Sequence, residues 1–331
     1  MFKKPFDITV FFYVAVALLM AAVVGAVALA QLWLLAMPVV LLGALVLLQR
    51  PVVLLYLLLA SIPWSVEYLF GGGFGTDLPD EPLMLLASLA AILLLLYQRD
   101  RVSKKLLHPI LWLLLVQVVW MIITAATSTH PLISIKYGLA KGWYLLSFVA
   151  LPLLVLQQKQ QWKTAAVVLV FSMLGVVIVS MVRHASYGFT FADINRSLYP
   201  FFRNHVNYSA LLVCMVPLLV TFLYFSRKGA KGILSILLLI TLVALYLSYA
   251  RGAWLALVVG AAAFVLLRIK MLWQAYVLAL VLVIAAVFWL QHNNRYLQYA
   301  HDFNTTVFHT NFKEHLVATY KLKDVSTAER F

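Results

Sequence analysis

Apolar runs long enough to cross a bilayer as helices follow one another along nearly the whole 331-residue chain. A hydrocarbon core of about 30 Å calls for about 20 apolar residues per helix. A soluble core has no room for such a series. Composition agrees: 65% of residues are hydrophobic and 11% charged, against about a quarter charged in soluble domains. The expected fold class is all-α, a polytopic transmembrane helical bundle of about eleven spans in a lipid bilayer. The runs fall at 10–30, 32–48, 51–69, 82–97, 107–126, 137–156, 164–182, 206–225, 232–250, 253–267 and 271–290. Residues 1–290 then form the transmembrane domain, with an outer loop at 183–207, and 291–331 form a final outer segment. The first run follows Lys3 and Lys4 and continues to about residue 30, longer than a signal-peptide apolar region. It is read as a retained span. The single cysteine, Cys214, lies in an apolar run and excludes an intrachain disulfide.

Loop charge sets the orientation. With the N-terminus inside, the inner connections carry Lys3, Lys4, Arg50, Arg99, Arg101, Lys104, Lys105, Lys159, Lys163, Arg227, Lys228, Lys231, Arg268 and Lys270. Each inner connection is basic, as the positive-inside rule requires. The outer connections at 31 and 70–81 contain no Lys or Arg. Part of the net charge of +14 is therefore topology signal, and a nucleic-acid partner is not expected. An N-terminus in the cytoplasm and a multi-pass chain in a cytoplasmic membrane follow.

The basic residues that topology does not require are the informative ones. Lys136, Lys141, Arg183, Arg196, Arg203 and Arg251 all fall in outer connections. Segment 183–208, RHASYGFTFADINRSLYPFFRNHVNY, holds three arginines, three tyrosines and four phenylalanines. Guanidinium groups grip phosphate oxygens in a bidentate fashion, and aromatic faces stack on sugar rings. An interfacial aromatic belt with snorkelling arginines has the same composition. Asn204, His205, Asn207 and Tyr208 add hydrogen-bonding groups beside Arg203. Arg251, in LSYARGAWLAL, sits between two apolar runs, with Gly252 expected to permit a tight turn. An arginine at membrane depth usually faces a pathway or a bound charge. Lys136 and Lys141 are five apart, about 140° around a helix, so one can reach a site while the other faces headgroups. Asp77, Asp80 and Glu81 are the densest carboxylates, but TDLPDE reads as a solvated loop running into a helix. No metal site and no cofactor are expected.

LSYARGAWLAL resembles the S-R-[GA]-x-L-x-L signature of the O-antigen ligase and polymerase superfamily, with Ala250 in place of the serine. FFRNHVNYSALLVCMVPLL resembles that family's aromatic and Asn-rich lead into a span, and DVSTAERF resembles the start of its S-x-x-x-R motif. The resemblance implies a GT-C-like glycosyltransferase. Such an enzyme moves a glycan from undecaprenyl diphosphate to an acceptor sugar on the periplasmic face, with inversion and without metal. For a ligase of the bacterial inner membrane the acceptor is lipid A–core. A polymerase or a protein glycosyltransferase would share the donor half. The resemblance implies diphosphate contacts at Arg251, Arg203 and Arg196, and Lys136 is a further candidate. His205, Asn207 and Tyr208 are candidate acceptor or sugar contacts. The family's acid/base histidine is expected beyond Phe331, so no catalytic residue is assigned. His292, His301, His309 and His315 precede the motif, and the stop within it points to a partial chain. A transporter of an anionic solute is the reading from another class; it would be expected to carry a carboxylate or a broken helix near the midplane.

Overall fold

The computed structural model describes residues 8–28, 31, 37–70, 74–97 and 109–292. Expectations for Lys3, Lys4, residues 99–105, the histidines beyond His292 and the DVSTAERF terminus lie outside the described residues. The elements are α1 (Ile8–Ala28), α2 (Met37–Gln49), α3 (Pro51–Ser61), β1 (Val66–Phe70), β2 (Phe74–Leu78), α4 (Asp80–Tyr97), α5 (Pro109–Ala126), α6 (Pro131–Leu145), α7 (Leu151–Val155), α8 (Lys159–Ser186), α9 (Ile194–Leu198), α10 (His205–Phe225), α11 (Lys228–Leu247), α12 (Arg251–Arg268) and α13 (Leu272–Gln291). Helices dominate because lipid offers no partner for backbone N–H and C=O groups, which must bond within the segment.

Among the described residues, seven helices are long and apolar enough to cross a membrane. The number rises to eight if α2 and α3, which meet at a bend of 117°, count as one span. The protein is therefore a multi-pass helical membrane protein, and about eleven spans are not shown among the described residues. The second and third runs depart from expectation for a local reason. Arg50 and Pro51 interrupt them, and Pro51 starts a new helix that ends at Ser61. At about 1.5 Å per residue, an 11-residue helix rises about 17 Å, well short of the hydrocarbon core. The expected span 51–69 thus stops early, and Val66–Phe70 pairs antiparallel with Phe74–Leu78, Glu67 opposite Asp77 and Tyr68 opposite Thr76.

The chain divides into two compact units, residues 1–173 and 174–331, with the division inside α8. The core of the first unit is built on α3, α4 and α7, where Leu54, Leu55, Leu58, Ala87, Ala90, Ala91 and Leu151 are all but fully buried. The three alanines bring the backbone of α4 close to its neighbours, the way helices associate where water does not drive packing. A serine pair reinforces that contact. Ser147 Oγ donates to Met84 O at 2.8 Å and lies 3.0 Å from Ser88 Oγ. Between α6 and α7 the helix widens into a π turn over Leu146–Ala150, next to Pro152, whose missing N–H removes one rung of the ladder.

The second unit packs Val176, Val177, Ile194, Leu198, Phe202, Tyr208, Leu212 and Leu219 inside, none of them more than 8% exposed. α12 and α13 bury none of their residues within the chain; between Gly252 and Leu267, and from Ala275 to Leu290, their side chains are apolar all round, the pattern of helices solvated by lipid.

Candidate functional site

Segment 183–208, singled out by its arginines, has a defined structure in the second unit. α8 runs on to Ser186, one turn past the expected span, and ends with Gly188 and Phe189 at φ +66° and +54°. The Phe189 N–H donates to His184 O at 3.0 Å, closing the helix end. His184 is 2% exposed; its Nε2 lies 3.0 Å from Thr190 O, and its ring meets the Phe189 ring edge-on. Thr190 Oγ1 donates to Asp193 Oδ2 at 2.7 Å. The short helix α9 follows, with Ile194, Ser197 and Leu198 buried beneath it and Asn195 and Arg196 on its exposed side.

Arg183 is committed to holding this loop. Its guanidinium donates to Tyr199 O, and its second amino group reaches Arg196 O at 3.5 Å. These carbonyls close α9, so Arg183 acts on the chain itself. Arg196 is exposed and places its guanidinium 4.9 Å from the centre of the Tyr187 ring, a cation–π contact. Arg203 is exposed in the turn before α10. Asn204 caps α10: its side chain accepts from the Asn207 N–H at 2.9 Å. Asn204→Ala is expected to cost about 0.5–2 kcal/mol, read as a lower unfolding midpoint of the purified protein in detergent. The Asn207 side chain is exposed. Tyr208 is not: it is 2% exposed against Phe202, ring centres 5.3 Å apart, and its hydroxyl has no partner among the described residues. That burial removes Tyr208 from the side chains a sugar can reach directly.

The second arginine segment meets the first through Tyr249. Tyr249 sits at φ +57°, a left-handed conformation that costs a non-glycine residue about 1–2 kcal/mol. The conformation is held by tertiary contacts. Tyr249 Oη donates to Phe189 O at 2.6 Å, and the ring packs edge-on against Phe191 at 5.5 Å. Burial first, and Tyr246 second, push the phenol above its usual range and keep that donor protonated. The turn therefore lies at Tyr249 and not at Gly252, which is already inside α12 with helical geometry. Ser248 and Ala250 are buried, the Ala250 N–H reaches Ser248 Oγ at 3.4 Å, and Arg251 follows as the first residue of α12, half-buried. Tyr249→Phe is expected to lose about 0.5–1.5 kcal/mol, seen as faster amide exchange at 187–191 and 248–251.

His205 completes the junction. Asn195 Oδ1 accepts from the His205 backbone N–H at 2.8 Å and lies 3.0 Å from His205 Nδ1. The Phe191 ring stands edge-on to the imidazole, 6.4 Å away. Arg251 is near enough for its charge to act on that imidazole. Arg251, His205, Asn195, Phe191 and Tyr249 thus form one cluster. Arg196 stands on the same short helix as Asn195, next in sequence. Lys136 belongs to the other unit, exposed on α6 along with Lys141, which lies 5.4 Å from the Tyr137 ring centre. Asn195, Phe191, Tyr249 and Tyr187 were not singled out from the sequence. Tyr249 adjoins the arginine motif, a usable signal. Asn195 carries none, because its role exists only once α9 lies against the start of α10. Among the described residues no group of three or more His, Cys, Asp or Glu side chains could hold a metal ion.

The arrangement defines the protein as a multi-pass helical membrane protein with a basic, aromatic-lined cluster at one end of its second unit. No family model matches the chain, and neither a curated protein nor a solved structure matches it.

Proposed function

We propose that this protein transfers a glycan from undecaprenyl diphosphate to an acceptor sugar on the periplasmic face of a bacterial inner membrane, as an O-antigen ligase does with lipid A–core. The observation that carries the reading is the convergence of two segments far apart in sequence. Tyr249 ties the 248–251 turn to the 187–191 loop end, which sets Arg251 beside His205. Arg196 and Arg203 are exposed in that same loop. Segment 183–208 has one carboxylate, Asp193, and it is bonded to Thr190.

As the glycosidic bond to the diphosphate breaks, negative charge gathers on the leaving oxygen. Fixed guanidinium groups in a partly dehydrated site stabilise that charge without reorganising. Arg251 is the best placed for this, being half-buried and anchored at the head of a helix. Arg196 and Arg203 hold the distal phosphate and set the donor's orientation. Asn207 offers an exposed amide to the sugar. A polymerase would share this donor half and differ in the acceptor.

The test is transfer of a glycan from undecaprenyl diphosphate to purified lipid A–core by the full chain in nanodiscs, with and without a chelator. Product is expected in both cases at the same rate. Loss of activity with chelator contradicts the metal-free mechanism. Absence of both product and bound donor contradicts the reading as a whole.

A further inference from the structure

We infer that His205 is a proton acceptor through Nε2 and that Asn195 is the positioning residue that holds it in the required tautomer. The inference rests on the glycan-transfer reading for its substrate, the acceptor hydroxyl. It rests on geometry alone for the tautomer.

A backbone N–H can only donate, and the His205 N–H points at one atom of the Asn195 side chain, 2.8 Å away. That atom must be the amide oxygen, because the amide nitrogen has only hydrogens to offer. The usual ambiguity of an amide flip is thereby removed. The same oxygen lies 3.0 Å from His205 Nδ1. An oxygen that only accepts requires a hydrogen on Nδ1. In a neutral imidazole the other nitrogen, Nε2, then carries the lone pair. Among the described residues Nε2 has no hydrogen-bond partner. The ring is half-buried and fixed on both sides, by Asn195 at Nδ1 and by the Phe191 edge. Its position is set at the first residue of α10, where Asn204 holds the helix start.

This is the geometry of a general base beside an anion-binding arginine. The acceptor hydroxyl gives its proton to Nε2 while its oxygen bonds to the anomeric carbon of the donor sugar. The bond from that carbon to the diphosphate oxygen breaks, and its electron pair stays on the oxygen, next to Arg251. The products are the new glycoside, undecaprenyl diphosphate and an imidazolium that returns its proton to water.

The experiment uses the full chain in lipid with ¹⁵N-labelled histidine at pH 8, and solid-state NMR of the ring nitrogens. The chain has eight histidines, so the His205 signals are assigned by their loss in His205→Asn. That variant keeps an N–H donor toward Asn195 and preserves the local fold, but it has no base. The expected result is a protonated Nδ1 and a bare Nε2 in the wild type, and a mixture of tautomers in Asn195→Leu. Transfer by His205→Asn falls by about a hundred- to ten-thousandfold with binding of undecaprenyl diphosphate unchanged. Asn195→Leu lowers kcat, and Asn195→Asp, which keeps an accepting oxygen, restores it. A wild-type ring protonated on Nε2, or full transfer by His205→Asn, overturns the inference while donor binding stands. Failure of the wild type to bind undecaprenyl diphosphate, with the bare Nε2 still observed, overturns the donor reading and the base role with it, leaving only the tautomer.

Discussion

Arg251→Ala is expected to reduce glycan transfer by about a hundred- to a thousandfold, the usual loss when one fixed donor to a developing anion is removed. The chain should still fold. Arg251 opens α12 and supports no buried core of that helix, which buries none of its residues. The turn before it is held by Ser248, Ala250 and Tyr249, through contacts that do not involve the guanidinium. Arg251→Lys should recover only part of the activity. An ammonium keeps the charge but loses the planar fork that grips two phosphate oxygens at once. Initial rates in nanodiscs, with expression and thermal unfolding measured in parallel, separate loss of chemistry from loss of fold. Wild-type rates in the alanine variant would remove Arg251 from the mechanism.

Leu198→Ala is expected to have the second-largest effect, and it acts from beneath the site. Leu198 is fully buried, and together with Ile194 and Ser197 it forms the buried face of a five-residue helix. Truncating a buried leucine costs about 2–5 kcal/mol. So short a helix has no stability of its own, so the loss falls on the docking of the loop. α9 carries Asn195 and Arg196, and its carbonyls are the ones Arg183 braces. Transfer should therefore drop steeply, with protease sensitivity appearing within 187–204 while the rest of the chain stays protected. The same substitution at Leu255, which is 66% exposed on α12, should leave both measurements unchanged. Retained activity and protection in Leu198→Ala would mean that the loop is held by something other than its buried face.

What the sequence made legible, and what it hid, divides along a physical line. Long apolar runs dictate helices because lipid leaves the backbone no alternative, and the runs at 82–97, 206–225 and 271–290 appear as α4, α10 and α13 nearly as bounded. Run length misled where apolar residues also alternate with polar ones. VEYLF lies within the expected apolar stretch 51–69 up to residue 69, yet it is a short β-forming segment that pairs antiparallel with FGTDL. Arg50 and Pro51 were visible as an interruption, but whether such a break bends a helix pair or separates two spans depends on packing that no run length encodes. The arginines of the cluster stood out because topology did not require them. Their roles did not. Arg183 is spent on backbone carbonyls, Arg196 lies on a tyrosine, and Arg251, 46 positions on in sequence, is near enough for its charge to act on His205. Gly252 looked like the turn residue on propensity grounds, but the strained position is Tyr249, whose hydroxyl and ring contacts offset the cost.

The most direct measurement is equilibrium binding of undecaprenyl diphosphate to the full chain in nanodiscs, wild type beside Arg251→Ala. Saturable binding by the wild type, weakened about tenfold or more in the variant, is the predicted result, since a charge-assisted contact is worth about 1.5–3 kcal/mol. Equal affinity in the two chains, or no saturable binding by either, would contradict the assignment of this cluster to a lipid diphosphate.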